Sequence, residues 1–220
     1  MDGSSLAPSR FLAHMAATCP PNSLSWLPDQ GIGYYPIGPA TQYGDEYWHR
    51  YRGYDATPMG RALTSARLDL CLQFVPPRDL PLMVDVGIGG GAFVEAAGCY
   101  GWDVNPLAEA WLRARGSWRE PEPGDTVTAW DVIEHMPHEQ LSNLLTGAKR
   151  LFVATPIYET YAGILQSRHF RPGEHCWYFT ASGLERLLLR FGLVRKKITL
   201  VETELGRDAI WSFVFERAEA

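Results

Sequence analysis

A chain of 220 residues with 46% hydrophobic and 20% charged residues has the length for one domain with a real core plus some extension. Its net charge of −5 lacks the basic footprint of a tight, nonspecific nucleic-acid binder. Its cysteines, Cys19, Cys71, Cys99 and Cys176, are scattered without a C-x-x-C pair, which argues against a disulfide framework or a cysteine zinc site and fits a reducing cytoplasm. No window approaches the ~18 consecutive apolar residues of a membrane span. Phe11–Ala17 is too short, and too interrupted by His14, for a signal segment. The expectation is a soluble, unexported protein.

Residues 1–41 read as an irregular extension, because Pro8, Pro20, Pro21, Pro28, Pro36 and Pro39, with Gly31, Gly33 and Gly38, break sustained helices and strands. Trp26, Tyr34 and Tyr35 argue that this extension packs on the domain instead of floating free, a lid over a cleft being one arrangement open to it. From Gln42 to Leu72 the pattern is helical, with Tyr43, Tyr47, Tyr51 and Tyr54 at spacings of three and four and a new helix starting at Pro58. The tyrosines are either core, or place the Tyr47 or Tyr51 ring against a cation.

Leu82-Met-Val-Asp-Val86 is a buried strand, followed by a glycine turn with Gly87, Gly89 and Gly91, a short helix, and a second strand ending at Gly101-Trp-Asp103. Gly87-x-Gly89-x-x-Ala92 formally fits a dinucleotide fingerprint. Asp85 decides against it: a carboxylate at that place repels a diphosphate, whereas a cofactor with an ammonium and a sulfonium gains from it. The better ligand is S-adenosylmethionine.

With Asp85-x-Gly-x-Gly-x-Gly91 and Gly101-x-Asp103, the chain from Tyr43 onward resembles the class I S-adenosylmethionine-dependent methyltransferases. The resemblance implies that Asp85, Gly87, Gly89 and Gly91 line the methionine side of the cofactor and that Asp103 chelates the ribose hydroxyls. Ala66-Arg-Leu-Asp-Leu-Cys71 resembles the segment of ubiquinone-biosynthesis O-methyltransferases whose arginine binds the cofactor carboxylate. That assigns Arg67 to the cofactor, with a plain surface arginine as the alternative.

Further along, Pro106–Arg115 reads as a helix stopped by Gly116, Ser117–Arg119 as a brief strand, and Thr126–Trp130 and Lys149–Pro156 as strands. Leu184–Phe191 reads as a helix, Arg195–Glu202 as a strand, and Ala209–Phe215 as a final antiparallel strand. Strands alternating with helices and closed by a hairpin give an α/β, doubly wound, mostly parallel sheet. That is the seven-stranded, Rossmann-like fold of the family. Adenine recognition has only Trp118 and Glu120 as candidates.

Ligands of such sheets lie outside the carboxyl ends of the strands. There the Trp130 carbonyl is assigned to the cofactor ammonium. Glu134-His135 resembles the strand-end pair of many small-molecule methyltransferases; being adjacent, at most one of the two is expected to aim at a single point. His135 and His175 are the candidate catalytic residues, with a structural histidine as the alternative for His135. Ser167–Thr180 is dense in charge without an obvious core role, and resembles the family's substrate loop. His169, Arg171 and Glu174 are assigned to substrate, Arg171–Glu174 alternatively being a solvated ion pair.

The function implied is transfer of a methyl group to an oxygen of a small molecule, by a monomer or homodimer. The alternative is a nucleic-acid methyltransferase. Asp131, Glu134, His135 and His175 together resemble the metal cluster of small-RNA 3′-end 2′-O-methyltransferases, with Asp131 where that family has a longer Glu.

Overall fold

A computed structural model describes residues 6–36 and 44–219. Between residues 6 and 36 the chain holds one helix and two strands, which corrects the irregular reading for the described part of residues 1–41. Helix α1 (Pro8–Thr18) begins at Pro8, because a proline in the first turn lacks only an N–H that has no helical partner anyway. Its Phe11, Leu12 and Met15 are buried in the main core. Strands β1 (Ser25–Leu27) and β2 (Ile32–Tyr34) pair antiparallel, and β2 pairs with β7 (Trp177–Phe179) into a three-stranded sheet. Residues 37–43, including Tyr43, lie outside the described residues.

The expected helical stretch is two helices, α2 (Asp45–Asp55) and α3 (Pro58–Leu72). Pro58 opens the second, and Thr57 caps it by accepting from the Gly60 N–H at 3.0 Å. Next come β3 (Val84–Val86), α4 (Ala92–Ala97), β4 (Tyr100–Trp102) and α5 (Pro106–Ala114). Strand β5 (Thr126–Trp130) precedes α6 (His138–Gly147), β6 (Arg150–Pro156) and α7 (Tyr161–Gln166). After β7 follow α8 (Ala181–Arg190), β8 (Leu193–Thr199), α9 (Val201–Glu204) and β9 (Ile210–Arg217). The stretch read as one strand to Glu202 therefore turns at Leu200 into the short helix α9.

The large sheet has the order β4-β3-β5-β6-β9-β8. Pairing is parallel from β4 to β6, while β9 is antiparallel to both of its neighbours. β8 thus runs parallel to β6. Ser117–Arg119 supplies only an isolated bridge, Gly101 to Trp118, where a seventh strand was expected; Gly116 and Pro121 leave it no length. Helices α1, α6 and α8 bury one face of the sheet and α3, α4 and α5 the other. Among the described residues no helix is long and apolar enough to cross a membrane.

The order reverses around β3, with β4 on one side and β5 on the other. That switch point, at the carboxyl ends of the strands, is where an open α/β sheet leaves a crevice. α9 and the turn after it join β8 to β9 at this same edge.

Candidate active site

The glycine turn after β3 is held by its surroundings as much as by its own sequence. Gly87, Gly89 and Gly91 have φ of +72°, +56° and +86°, a region L side chains rarely adopt. A Cβ on Gly87 would stand 2.5 Å from Val132 Cγ2, and one on Gly91 2.7 Å from the Trp111 ring. Only Gly89 has space, its nearest neighbour being the Tyr51 ring at 3.4 Å. Two of the three glycines thus answer to protein neighbours, and Gly89 is the one that leaves the backbone open.

Asp103 sits on this turn. Its carboxylate accepts from the Asn105 N–H at 2.8 Å, and the N–H groups of Ile88, Gly89 and Val104 also favour its charge, while burial raises its pKa above the usual value. Helix α2 covers the other side. The Arg52 guanidinium donates to the Gly90 carbonyl at 2.8 Å, and Asp55 accepts from Ala92 N–H at 3.3 Å, on the first turn of α4. The amides a diphosphate would need are therefore occupied by two carboxylates.

Asp85 lies deeper than the sequence implied. It is 1% exposed, accepts a hydrogen bond from Thr128 Oγ1 at 2.5 Å, and is pushed up to about 7, chiefly by burial. Burial thus weakens the charge of Asp85, and the electrostatic argument against a diphosphate draws on Asp103 and Asp55 as well. Trp130, at the end of β5, buries its ring between Phe93 and Phe152.

A second constellation lies past β5. A 3-10 turn, Ile133–His135, and the loop before β7 are stitched together: the Cys176 N–H donates to Glu134 O at 2.8 Å and Trp177 Nε1 to Met136 O at 2.8 Å. This brings the His135 and His175 rings to 4.4 Å, edge to face. Glu134, His135 and His175 each place a ligand atom within 4.8 Å of the other two. His175, from another element, thus stands beside both members of the adjacent pair Glu134 and His135.

His135 Nδ1 lies 2.9 Å from the Glu174 carbonyl. A carbonyl only accepts, so Nδ1 carries the proton and Nε2 keeps its lone pair. Burial lowers the His135 pKa, opposed by the Glu174 carbonyl and the Asp131 charge. His175 is pushed down to about 3, first by burial and then by the neighbouring His135; its Nδ1 is buried without a hydrogen-bond partner among the described residues. Burial, with the Asp131 charge second, pushes Glu134 up to about 8; its carboxyl accepts from Thr155 Oγ1 at 3.1 Å.

No protein-family model matches the chain, and no curated protein matches it. Solved structures do. The magnesium protoporphyrin IX methyltransferase of Synechocystis PCC 6803, with bound S-adenosylhomocysteine, superposes with a TM-score of 0.60 at 15% identity, over 80% of this chain and 96% of that one. A chain of the complex between the Haloferax volcanii Trm112 methyltransferase activator and a methyltransferase gives 0.60 at 15% identity, over 82% and 100%. An S-adenosylmethionine-dependent methyltransferase from Thermotoga maritima gives 0.52 at 15% identity, over 78% and 100%. The fold is that of the S-adenosylmethionine-dependent methyltransferases.

Within this methyltransferase fold the structure brings Gly87, Gly89, Gly91 and Asp103 together at the switch point, and His135 with His175 beside it. Arg67 is engaged with Glu202, Asp131 and Trp130. Its Nε and Nη2 donate to Glu202 at 2.8 and 3.0 Å, Nη2 also to Asp131 at 3.1 Å, and its guanidinium lies 5.1 Å from the centre of the Trp130 ring. Asp131 also pairs with Arg207 at 2.7 Å. Asp131 is thereby withdrawn from the four-residue metal set, which contracts to Glu134, His135 and His175.

His169 Nε2 lies 2.8 Å from the Asp208 carbonyl. Arg171 and Glu174 form a half-exposed ion pair at 3.2 Å, as the plainer reading of that pair expected. The charged loop does have a core role, since it ends in the buried β7 residues Trp177, Tyr178 and Phe179. Trp118 lies beneath the Arg113 guanidinium, whose Cζ is 3.6 Å from the centre of the indole ring. Glu120 borders a groove of about 520 Å³ between α6 and the loop before β5, with Trp102 and Met136 in its lining.

Sequence reasoning missed Asp55, Thr128, Thr155, Glu202 and Arg207. Thr128 was findable: Asp85 and Thr128 are polar residues in apolar strands, and the register places them opposite each other. Glu202 and Arg207 carried no local signal.

Proposed function

We propose that the chain is an S-adenosylmethionine-dependent methyltransferase that moves the methyl group to an oxygen of a small-molecule acceptor. The observation that carries this reading is the Asp103 carboxylate on the amides of the glycine turn, with Asp55 on the first turn of α4. The arrangement disfavours a diphosphate and suits a ribose diol beside a cationic group. When bound, the cofactor supplies an electrophilic methyl group on a sulfonium.

Asp103 holds the ribose hydroxyls, the turn at Gly89 admits the methionine side, and Asp85 and the Trp130 carbonyl favour the ammonium. Arg67 serves the carboxylate through Nη1, which has no hydrogen bond among the described residues. The His135 imidazole takes the proton of the acceptor hydroxyl at Nε2, and the nearby Asp131 charge favours the imidazolium that results. His175 walls the site. Tyr158, Tyr178, Phe170 and Tyr35 pack into one cluster adjoining His175, which backs the wall that His175 forms, with His169, Arg171 and Glu174 on the acceptor side.

Calorimetric titration with S-adenosylhomocysteine tests the reading. Binding that Asp103→Ala removes supports it, and no binding by the wild type sinks it. A second reading, metal-assisted transfer to a ribose hydroxyl of RNA, has the two-histidine, one-carboxylate group in its favour. It predicts that manganese changes the titration and that Glu134→Gln removes the change.

A further inference from the structure

The turn that carries His135 starts in an unusual backbone conformation. Asp131, the first residue past β5, has φ of +59°, a left-handed value uncommon for a residue with a Cβ, although Asp and Asn adopt it more readily than others. The consequences lie on both sides. Val132 follows directly and packs its Cγ2 against Gly87; the Ile133–His135 turn comes next and presents Glu134 and His135. A change at Asp131 would move both the brace on the glycine turn and the imidazole.

Three charged groups, Arg67, Arg207 and Glu202, fix it. The Asp131 N–H donates to the Ala154 carbonyl at 2.8 Å, while its Oδ2 accepts from Arg67 Nη2 at 3.1 Å and Arg207 Nη1 at 2.7 Å. Glu202, fully buried, holds both arginines in turn: it receives the Arg67 fork at 2.8 and 3.0 Å and also pairs with Arg207. Arg67 lies over the Trp130 ring, and Ser212 Oγ donates to Glu202 at 3.5 Å. The two carboxylates balance the two guanidinium charges. Burying such a set is a weak device for stability, since apolar packing does as well; what the two-pronged Arg67–Glu202 pair and the shared Asp131 carboxylate supply is a fixed direction.

We propose that Glu202 and Arg207 are positioning residues that, with Arg67, clamp the Asp131 carboxylate, hold its left-handed backbone, and so set where the Ile133–His135 turn places the His135 imidazole. The C-terminal connection between β8 and β9 thereby governs a proton acceptor some 70 residues earlier in the chain. The inference rests on the proposed function only for the role of His135; the placement itself is independent of any reaction.

The test uses the full chain labelled with nitrogen-15 histidine, the His135 signal being assigned by its loss in His135→Gln. In the wild type His135 shows the tautomer protonated at Nδ1. In Arg207→Gln and Glu202→Gln that signal shifts or broadens. The backbone gives a second signature. Glycine adopts the left-handed conformation without a clamp, so Asp131→Gly loses less of the His135 signal and of kcat than Asp131→Ala.

An unchanged His135 signal in Arg207→Gln and Glu202→Gln, or equal losses in Asp131→Gly and Asp131→Ala, overturns the proposal. Should Glu202→Gln fail to fold with two arginines short of a partner, Glu202→Asp keeps the charge on a shorter arm; it is expected to shift the same signal, and an unshifted one overturns the proposal equally. A wild type that binds no S-adenosylhomocysteine would sink the proposed function and leave the spectroscopic comparison standing.

Discussion

The glycine-turn half of the site and its histidine half are built on opposite plans. In the first, β3, the turn, α4 and β4 follow one another within about twenty residues, and the chain's own punctuation, three glycines and an acid after the next strand, positions the chemistry. In the second, His135 and His175 come from two segments forty residues apart, joined by backbone bonds such as Cys176 N–H to Glu134 O. On the proposed function the first half binds the cofactor and the second accepts the proton. The contrast teaches that a binding turn can be encoded locally, whereas a proton acceptor needs neighbours that only the fold delivers.

Substitutions can break that division or sharpen it. The largest effect is expected at His135: His135→Gln should lower kcat by about 10²- to 10⁴-fold, the usual worth of a positioned base, with S-adenosylhomocysteine affinity nearly unchanged in calorimetry. Equal losses in both quantities would erase the division of labour. Asp103→Ala should do the converse. Loss of charge-assisted hydrogen bonds worth roughly 1.5–3 kcal/mol each should weaken S-adenosylhomocysteine by about 100-fold, without moving the His135 resonance.

Glu134 gives a smaller, pH-dependent effect. Its folded pKa of about 8 exceeds the ordinary 4.5, so the folded state binds more protons than the unfolded chain between those values, and stability falls as pH rises across that window. Glu134→Gln removes the term. The melting-temperature difference, variant minus wild type, should therefore grow from pH 5 to pH 8 and then level; a constant difference would place the ordinary carboxylate pKa at Glu134. His175 works in the other direction: held down at about 3, it lowers stability as pH falls below the ordinary imidazole range, in which the unfolded chain takes up the proton. The smallest effect is expected at Arg171. An exposed ion pair contributes roughly 0–1 kcal/mol, so Arg171→Ala should leave the melting temperature within a few degrees, and a raised acceptor KM would be the mark of a substrate role.

Helix and strand identities were legible wherever they depend on short-range rules. Pro58 and Pro106 open helices, Gly192 follows the end of α8, and Thr126–Trp130 is a strand with the bounds its apolar run implied. The rules misled where one residue has two meanings. Pro8 was read as a breaker but begins α1, and Trp177–Phe179 was read as part of a substrate loop but is a buried strand paired with β2. Both errors came from segments that become regular by pairing with distant parts of the chain.

By itself, then, the sequence determined the α/β alternation, the glycine turn and the acid that sits on it, because apolar period, caps and left-handed glycines act over a few residues. Tertiary structure decided that Asp85 is buried beside Thr128, that Asp131 serves Arg67 and Arg207, and that His135 meets His175. Those outcomes depend on burial and on partners far along the chain. Desolvation and charge pairing have no sequence period, so nothing local in the sequence could announce them.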